Sequence, residues 1–212
     1  SVRGVVGPLL FVSGVRGAGF GELVRIDTPS GHRTGQILFI EGDICAIQVF
    51  EGTMGLESSE VTVWLEKDIV RMPVGMSLLG RVLDGRGNPI DGQPLRFVDD
   101  ELPVSGLPLN PVSRKSPNAF VETGISSVDL MNTLVRGQKL PIFSGAGLPA
   151  DRLASQIVRQ ARVPGRESKF LVIFAAMGIT RREADYFLGS FRETGAINQG
   201  IFFINLASDS AV

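Results

Sequence analysis

The stretch that decides the fold is residues 136–161, RGQKLPIFSGAGLPADRLASQIVRQA. Its apolar part, residues 140–143, predicts a buried strand, and a glycine-rich turn follows at residues 144–149. A helix is predicted from Asp151, because apolar residues then recur on one face at helical spacing. A strand, a glycine-rich turn and a helix in this order form the architecture of a phosphate-binding loop.

This loop lacks the side chains that bind a nucleotide. In the pattern G-x-x-x-x-G-K-[ST], backbone N–H groups and the Lys hold phosphates, and the Ser or Thr holds magnesium. Ala150 and Asp151 occupy the Lys and Ser/Thr positions, and Ser144 and Pro149 occupy the two Gly positions. Pro149 removes a backbone donor, and the carboxylate of Asp151 would repel a phosphate.

We therefore predict a degenerate loop with at most a weak nucleotide contact, no catalytic residue and no metal ligand. The loop consists of Ser144, Gly145, Ala146, Gly147, Leu148, Pro149, Ala150 and Asp151. The alternative role for its two glycines is a tight strand-to-helix turn that binds nothing.

Length, charge and composition limit the domains, partners and compartment that we expect for this chain. The length of 212 residues allows one or two domains, and a net charge of -1 gives no electrostatic reason to expect a nucleic acid partner. The single cysteine, Cys45, cannot form an internal disulfide and lies in an apolar run, which fits a reducing compartment and a thiol in the core. The longest apolar run, residues 170–177, is too short to cross a bilayer, so any membrane association must come through partners.

The first 72 residues predict a small closed β-barrel. Short β-type runs alternate with turns centred on Gly, Pro or Asp. The predicted strands are residues 5–12, 23–26, 36–40, 44–50 and 61–65. Trp64 is the only tryptophan and offers no aromatic platform for bases, which favours a scaffolding barrel over a ligand-binding one.

A linker and extended connector are predicted for residues 73–117, where turn signals and prolines recur. Within this stretch, residues 78–95 predict a strand, a turn and an extended segment.

Residues 118–212 predict an α/β domain with a parallel sheet. A helix is predicted from Ser126, with Asp129 completing a capping box, and a second capping box is predicted from Thr180 and Glu183. Ala184, Phe187, Leu188 and Phe191 form the apolar stripe of that second helix. Residues 170–177 and 201–206 predict buried strands. The strand that would organise magnesium is missing before Val212, so we expect a fragment or a truncated product.

Blocks of sequence spread over nearly the whole chain resemble the non-catalytic B subunit of the V/A-type rotary ATPases. In order they are residues 7–10 (GPLL), 47–53 (IQVFEGT), 79–81 (LGR), 89–92 (PIDG), 106–111 (GLPLNP), 123–126 (TGIS), 131–139 (MNTLVRGQK), 140–149 (LPIFSGAGLP) and 174–178 (FAAMG). The resemblance implies a barrel followed by a RecA-like P-loop domain. It also implies a six-membered ring in which B subunits alternate with catalytic A subunits around a rotating stalk.

The resemblance carries further expectations for chemistry and partners. Catalytic relatives have Gly-Glu-Arg where this chain has Gly178, Ile179 and Thr180, so the general base is missing as well as the lysine. ATP or ADP and Mg would then lie at the neighbouring catalytic subunit. Expected partners are the A subunit and the central and peripheral stalks, with the membrane reached only through the ion-translocating sector.

Two other functions remain open at this stage. An active RecA-like ATPase of the export type would need the side chains that Ala150, Asp151 and Ile179 replace. A stand-alone barrel that acts as a binding module would need a ligand surface that the sequence does not show.

Overall fold

The computed structural model describes residues 1–56, 60–106, 108–165 and 171–209. These residues form two compact units. The first contains Ser1–Pro73 and Asp100–Gly106, and the second contains Val74–Asp99 and most of the chain after residue 107. Part of the stretch predicted as linker thus belongs to the second unit.

The first unit is built on a six-stranded antiparallel sheet. Its strands are β1 (Val2–Val6), β2 (Leu9–Ser13), β3 (Glu22–Thr28), β4 (Gly31–Glu41), β5 (Ile44–Val49) and β6 (Thr62–Ile69). Their order in the sheet is β1-β2-β5-β4-β3-β6, so β1 and β6 are the outer strands.

The sheet curls around one core, which explains how a single layer buries so much apolar surface. The core side chains are at most 4% exposed: Leu10, Val12, Val24, Ile26, Ile37, Ile47 and Val49. Val2 of β1 packs against this cluster, and so do Val63 and Leu65 of β6. Both outer strands therefore contact the same core, as in a barrel.

The single strand predicted for residues 5–12 is wrong, because this stretch contains a hairpin. Gly7 has φ +55°, a left-handed conformation that glycine adopts without steric cost. The chain reverses there, and Val6 of β1 pairs with Leu9 of β2.

The second unit has a three-stranded parallel sheet with helices on one face. Its strands are β8 (Val82–Leu83), β10 (Val172–Ile179) and β11 (Gly200–Leu206), in the order β10-β11-β8. Its helices are α1 (Ser126–Met131), α2 (Ala150–Gln160) and α3 (Arg181–Glu193). The strand predicted at residues 201–206 is confirmed, and Phe170, the first residue of the other predicted strand, lies outside the described residues.

Aromatic side chains dominate the core of the second unit. The Phe191 ring lies 5.1 Å from the Phe174 ring and 5.2 Å from the Phe202 ring, between ring centroids. The predicted stripe of α3 is confirmed, since Ala184, Phe187 and Phe191 are buried and Leu188 packs against the same cluster.

The connector at residues 78–95 supplies β8, which pairs with β11. An ion pair ties the segment together: Arg81 Nε lies 2.6 Å from Asp91 Oδ2, and Arg81 Nη2 lies 2.8 Å from Asp91 Oδ1. Beyond it, β7 (Arg71–Val74) and β9 (Asp100–Pro103) form a separate two-stranded sheet.

The strand predicted at residues 140–143 is wrong. These residues have no regular secondary structure, and the Phe143 side chain is 93% exposed. Pro141 cannot donate a ladder hydrogen bond, and no strand in the described ranges pairs with this segment. An apolar run needs a neighbouring strand to form a ladder.

The helix predicted from Ser126 is shorter than its apolar pattern, because it ends at Met131. Asp129 does not complete a capping box with Ser126. Its carboxylate instead accepts hydrogen bonds from Thr123 N (2.9 Å), Thr123 Oγ1 (2.7 Å) and Gly124 N (3.0 Å). Gly124, at φ +74°, turns the chain so that these donors face the carboxylate.

Candidate functional site

The loop predicted to be a degenerate phosphate-binding loop, residues 144–151, forms a compact turn before α2. Leu148 N donates to Gly145 O at 3.2 Å, and Ala150 N donates to Leu148 O at 2.9 Å. Gly147 has φ +83°, whereas Gly145 does not have a positive φ. Within the described residues nothing lies within 4 Å of a Cβ built on Gly147. Backbone conformation therefore accounts for Gly147, and Gly145 has no such requirement.

The N-terminus of α2 is poorly suited to an anion. The helix begins at Ala150, one residue before the predicted start, and its N-cap is Pro149, which makes no side-chain cap. Asp151 lies exposed in the first turn, so a carboxylate already accompanies the positive end of the helix dipole. Ala150, at the position that the sequence pattern assigns to the lysine, carries a methyl group and no ammonium.

A buried polar contact fixes α2 against α3. Ser155 is completely buried, and its hydroxyl lies 3.0 Å from the hydroxyl of Ser190. Ala154 and Val158 pack against the core of the second unit. Sequence reasoning missed Ser155, and its only signal was a small residue between the apolar positions of the helix.

The end of β10 carries the second set of predicted positions. Gly178 has φ +69°, and Ile179 packs against the core of the second unit. Ile179 O accepts a hydrogen bond from Ala207 N at 2.9 Å. The position that the resemblance assigns to a general base thus holds an alkyl side chain in contact with the core, and it can neither accept a proton nor orient water.

The predicted capping box of α3 is confirmed. Thr180 N and Thr180 Oγ1 donate to Glu183 Oε2 at 2.6 and 2.8 Å, and Glu183 N donates to Thr180 Oγ1 at 3.3 Å. Hydrogen bonds from the Thr180 backbone and then its side chain lower the pKa of Glu183. The ionised carboxylate therefore occupies the N-terminus of α3, which a phosphate could otherwise approach.

The remaining candidate groups are possible metal ligands and the single cysteine. No cluster of three or more His, Cys, Asp and Glu side chains in the described ranges is arranged to hold a metal ion. Cys45 is buried, and burial, followed by Asp43 and Glu22, raises the pKa of its thiol. A neutral buried thiol is a poor nucleophile. Among the described residues no helix is long and apolar enough to span a membrane.

Comparison with known proteins accounts for both units. Residues 2–63 match the model for the β-barrel domain of the ATP synthase alpha/beta family, and residues 124–212 match the model for its nucleotide-binding domain. The predicted fold, a barrel followed by a nucleotide-binding domain with a parallel sheet, is confirmed.

A curated relative agrees with both family models. The chain is 52% identical to the B subunit of the A-type ATP synthase of Methanopyrus kandleri over 213 aligned positions. The alignment covers 100% of this chain and 22% of that relative, so the chain spans about a fifth of its relative's length. The chain belongs to the ATP synthase alpha/beta family.

Proposed function

We propose that this chain is part of a non-catalytic regulatory and structural B subunit of a V/A-type ATPase or ATP synthase. One observation carries the proposal: Ala150, Asp151 and Ile179 occupy the positions of the lysine, the magnesium ligand and the general base. The 52% identity to the B subunit of an A-type ATP synthase supports the choice of subunit.

The chemistry of phosphoryl transfer explains why these three positions matter. A P-loop enzyme stabilises the transferred phosphoryl group with a lysine and a bound magnesium, and it orients the attacking water with a further side chain. A methyl group, a carboxylate and an alkyl chain provide none of these functions. Since the three replacements affect separate parts of the mechanism, restoring any one of them would not restore hydrolysis.

The assembly follows from the same proposal. The subunit would alternate with catalytic A subunits in a six-membered ring and contact the central and peripheral stalks. ATP or ADP and Mg would bind at the catalytic neighbour, and ring rotation would couple ATP synthesis or hydrolysis to proton or sodium transport. The complex would place this subunit in a cytoplasmic head, attached to the membrane through the ion-translocating sector.

Nucleotide binding and hydrolysis by the 212-residue chain test the non-catalytic role. We expect no ATP hydrolysis above background and no measurable binding of Mg-ATP below millimolar concentrations, in a sample whose folding is verified by a cooperative thermal transition. Turnover of ATP by the purified chain would contradict the proposal.

A matched variant shows whether the two replaced side chains limit binding. Ala150→Lys combined with Asp151→Thr restores the ammonium and the hydroxyl of the phosphate-binding pattern. We expect this double variant to bind Mg-ATP more tightly than the native chain in calorimetry. A native chain that already binds as tightly as the variant would show that the loop is not degenerate in function.

Association with a catalytic subunit tests the proposed assembly separately. The chain is mixed with the catalytic A subunit of an A-type ATP synthase and analysed by native mass spectrometry. We expect a complex that contains both chains. If only unassociated A subunit and chain are found, the proposed ring contact is wrong, whatever the result with Mg-ATP.

A further inference from the structure

The barrel exposes apolar side chains on the outer face of β1, β2, β5 and β4, which lie side by side in this order. The outer face is the one that points away from the barrel core. Val6 is 66% exposed on this face, Phe39 46% and Ile44 41%. The solvent-facing side of an antiparallel sheet is normally polar, so a cluster of exposed apolar side chains there indicates a contact surface.

Strand pairing arranges the large side chains of this face in one row across the four strands. Gly4 of β1 pairs with Phe11 of β2, and Phe11 pairs with Ala46 of β5. Ala46 in turn pairs with Phe39 of β4. The apolar row therefore begins with the smallest residue, at Gly4, and ends with an exposed aromatic ring, at Phe39.

The adjacent row carries opposite charges at its two ends. Ser13 of β2 pairs with Ile44 of β5, and Ile44 pairs with Glu41 of β4. Arg3 of β1 reaches the other end, because its Nε donates to Ser13 Oγ at 2.8 Å. Within the described residues, neither Arg3 nor Glu41 makes an ion pair. Three strand spacings, roughly 14 Å along the sheet, separate their strands, which is too far for the two side chains of one copy to pair.

A second copy of the same face would supply both missing counterions. A two-fold axis that runs along the strands, between β2 and β5, sets each row against the same row of the partner in reverse order. Arg3 then lies opposite the partner's Glu41, and Glu41 lies opposite the partner's Arg3. A two-fold axis across the strands would instead set Arg3 against Arg3, which like-charge repulsion disfavours. The charges thus select one of the two face-to-face arrangements.

The same axis also matches side chains by size in the apolar row. It sets Phe39 opposite the partner's Gly4, and Phe11 opposite the partner's Ala46. Nothing in the described structure lies within 4 Å of a Cβ built on Gly4, so the Phe39 ring meets open space there. Layers of side chains interdigitate when large residues face small ones.

We infer that the outer face of β1, β2, β5 and β4 binds the same face of a second copy of this chain. Charge and size complementarity both favour the two-fold axis along the strands, and the net charge of -1 does not oppose association. The face is smaller than a standard interface, so the dimer is weak, with a Kd on the order of 1–100 μM. The inference concerns the barrel alone and does not rest on the function proposed above.

Sedimentation equilibrium of the 212-residue chain tests the dimer directly. We expect a reversible equilibrium between monomer and dimer with a Kd in the micromolar range. A native chain that stays monomeric up to about 1 mM would overturn the inference.

Two substitutions in the apolar row test where the copies meet. Phe39→Ser removes the ring from both sides of the two-fold pair, and we expect the dimer to weaken by about tenfold or more. Gly4→Leu fills the space opposite that ring and should also weaken the dimer. Phe20→Ser is the matched control, because Phe20 is 79% exposed in the loop before β3, outside this face. The Trp64 unfolding transition verifies that each variant is folded. A dimer that is unaffected by Phe39→Ser would overturn the inference.

Charge reversal tests the orientation of the two copies. Arg3→Glu gives a chain with acids at both ends of the row, and Glu41→Arg gives a chain with bases at both ends. We expect each variant alone to dimerise about three- to tenfold more weakly, since both ion pairs of the dimer are lost. A mixture of the two variants should form the heterodimer preferentially in native mass spectrometry, because both ion pairs are then restored.

Equal amounts of homodimer and heterodimer in that mixture, beyond the statistical ratio of a random mix, are not expected, and a purely statistical ratio would overturn the two-fold arrangement. A different occupant has its own signature. If the native chain stays monomeric while Phe39→Ser abolishes binding to the catalytic A subunit, that subunit covers the face and the inference of a second copy is wrong.

Discussion

The barrel and the parallel sheet cover their apolar side chains to different extents. In the barrel, hairpins bring neighbouring strands together, and both outer strands contact a core that is at most 4% exposed. In the parallel sheet, Phe174 and Ala176 of β10 pack under the helices, while Ile173 and Met177 on the other face are 64% and 75% exposed. A parallel sheet normally has both faces covered. Within the described residues, the barrel completes its core and the parallel sheet covers only one face.

The unfolding of each unit can be followed separately, which makes this comparison measurable. Trp64, the only tryptophan, lies on β6 of the barrel. Tyr186, the only tyrosine, lies on α3 of the second unit. Tryptophan fluorescence therefore reports unfolding of the barrel, and hydrogen exchange of α3 peptides reports unfolding of the second unit.

Phe191→Ala is expected to have the largest effect. Phe191 is completely buried and contacts the Phe174 and Phe202 rings, so its truncation leaves a cavity. We expect the second unit to lose about 3–5 kcal/mol of stability, since Phe→Ala changes in cores cost this much. In urea titrations the Trp64 transition should not move. If it shifts together with α3 exchange, the two units unfold as one.

The next largest effect is expected from acid, which should destabilise the second unit before the barrel. The described carboxylates with a lowered pKa in the second unit are Asp91, Glu122, Asp129 and Glu183, against Asp68 alone in the barrel. A lowered folded-state pKa gives stability that is present above the unfolded pKa, about 4 for these groups, and is lost as pH falls further. We expect the protection factors of the α3 amides, which take the intrinsic exchange rate at each pH into account, to fall below about pH 4. Trp64 fluorescence should change only at a lower pH.

Asp91→Asn tests the main source of this acid sensitivity. The hydrogen bond from Arg81, the largest cause, lowers the pKa of Asp91, and the two side chains are only 14% and 13% exposed. The variant should lose about 2–3 kcal/mol at neutral pH, the size of charged hydrogen bonds, and should show a flatter acid profile. Asp68→Asn is the exposed control. Equal profiles for Asp91→Asn and the native chain would contradict the assignment.

Gly35→Ala probes how tightly the barrel is packed. A Cβ at Gly35 would lie 2.7 Å from Gln48 O and 2.7 Å from Ile47 Cγ2, so the strands must move apart. We expect a loss of about 1–3 kcal/mol, as for other overpacked cores, seen in the Trp64 transition. Gly4→Ala is the control, because nothing in the described structure lies within 4 Å of its Cβ. A barrel that tolerates both changes equally would be more loosely packed than these contacts indicate.

Thr180→Ala is expected to have the smallest effect. It removes the hydroxyl that accepts from Glu183 N and donates to Glu183 Oε2. Loss of an N-cap should cost the second unit about 1 kcal/mol, measured by α3 exchange. Thr180→Ser keeps the hydroxyl and should retain most of that stability. If Ser and Ala at this position behave alike, the capping box contributes nothing measurable.

The sequence predicted features that depend on local pattern. The capping box of Thr180 and Glu183 and the stripe of α3 require only residues three or four positions apart. The turns between barrel strands were also predicted from their Gly, Pro and Asp residues, although Gly7 was not recognised as one of them. The replacement of catalytic positions by Ala150, Asp151 and Ile179 stays a prediction, made from the blocks of sequence that surround them.

Features that depend on distant partners could not be predicted. Residues 140–143 have the composition of a strand, but composition does not supply a neighbour to pair with. Conversely, β8 has only two residues and is a strand because β11 pairs with it. The burial of Ser155 could not be predicted for the same reason, since its hydroxyl contacts Ser190 of another helix.

The pairing of β8 with β11 also sets an order of events during synthesis. Val82 pairs with Phe202, so its partner is made about 120 residues later. At ~5–20 residues per second, that interval is roughly 6–24 s on the ribosome. The barrel strands up to Ile69 have all left the ribosome by then, while Val82 and Leu83 have only their local contacts with Pro89 and Ile90 and lack their partner strand. A nascent chain stalled before β11 should therefore hold a folded barrel and an unformed parallel sheet.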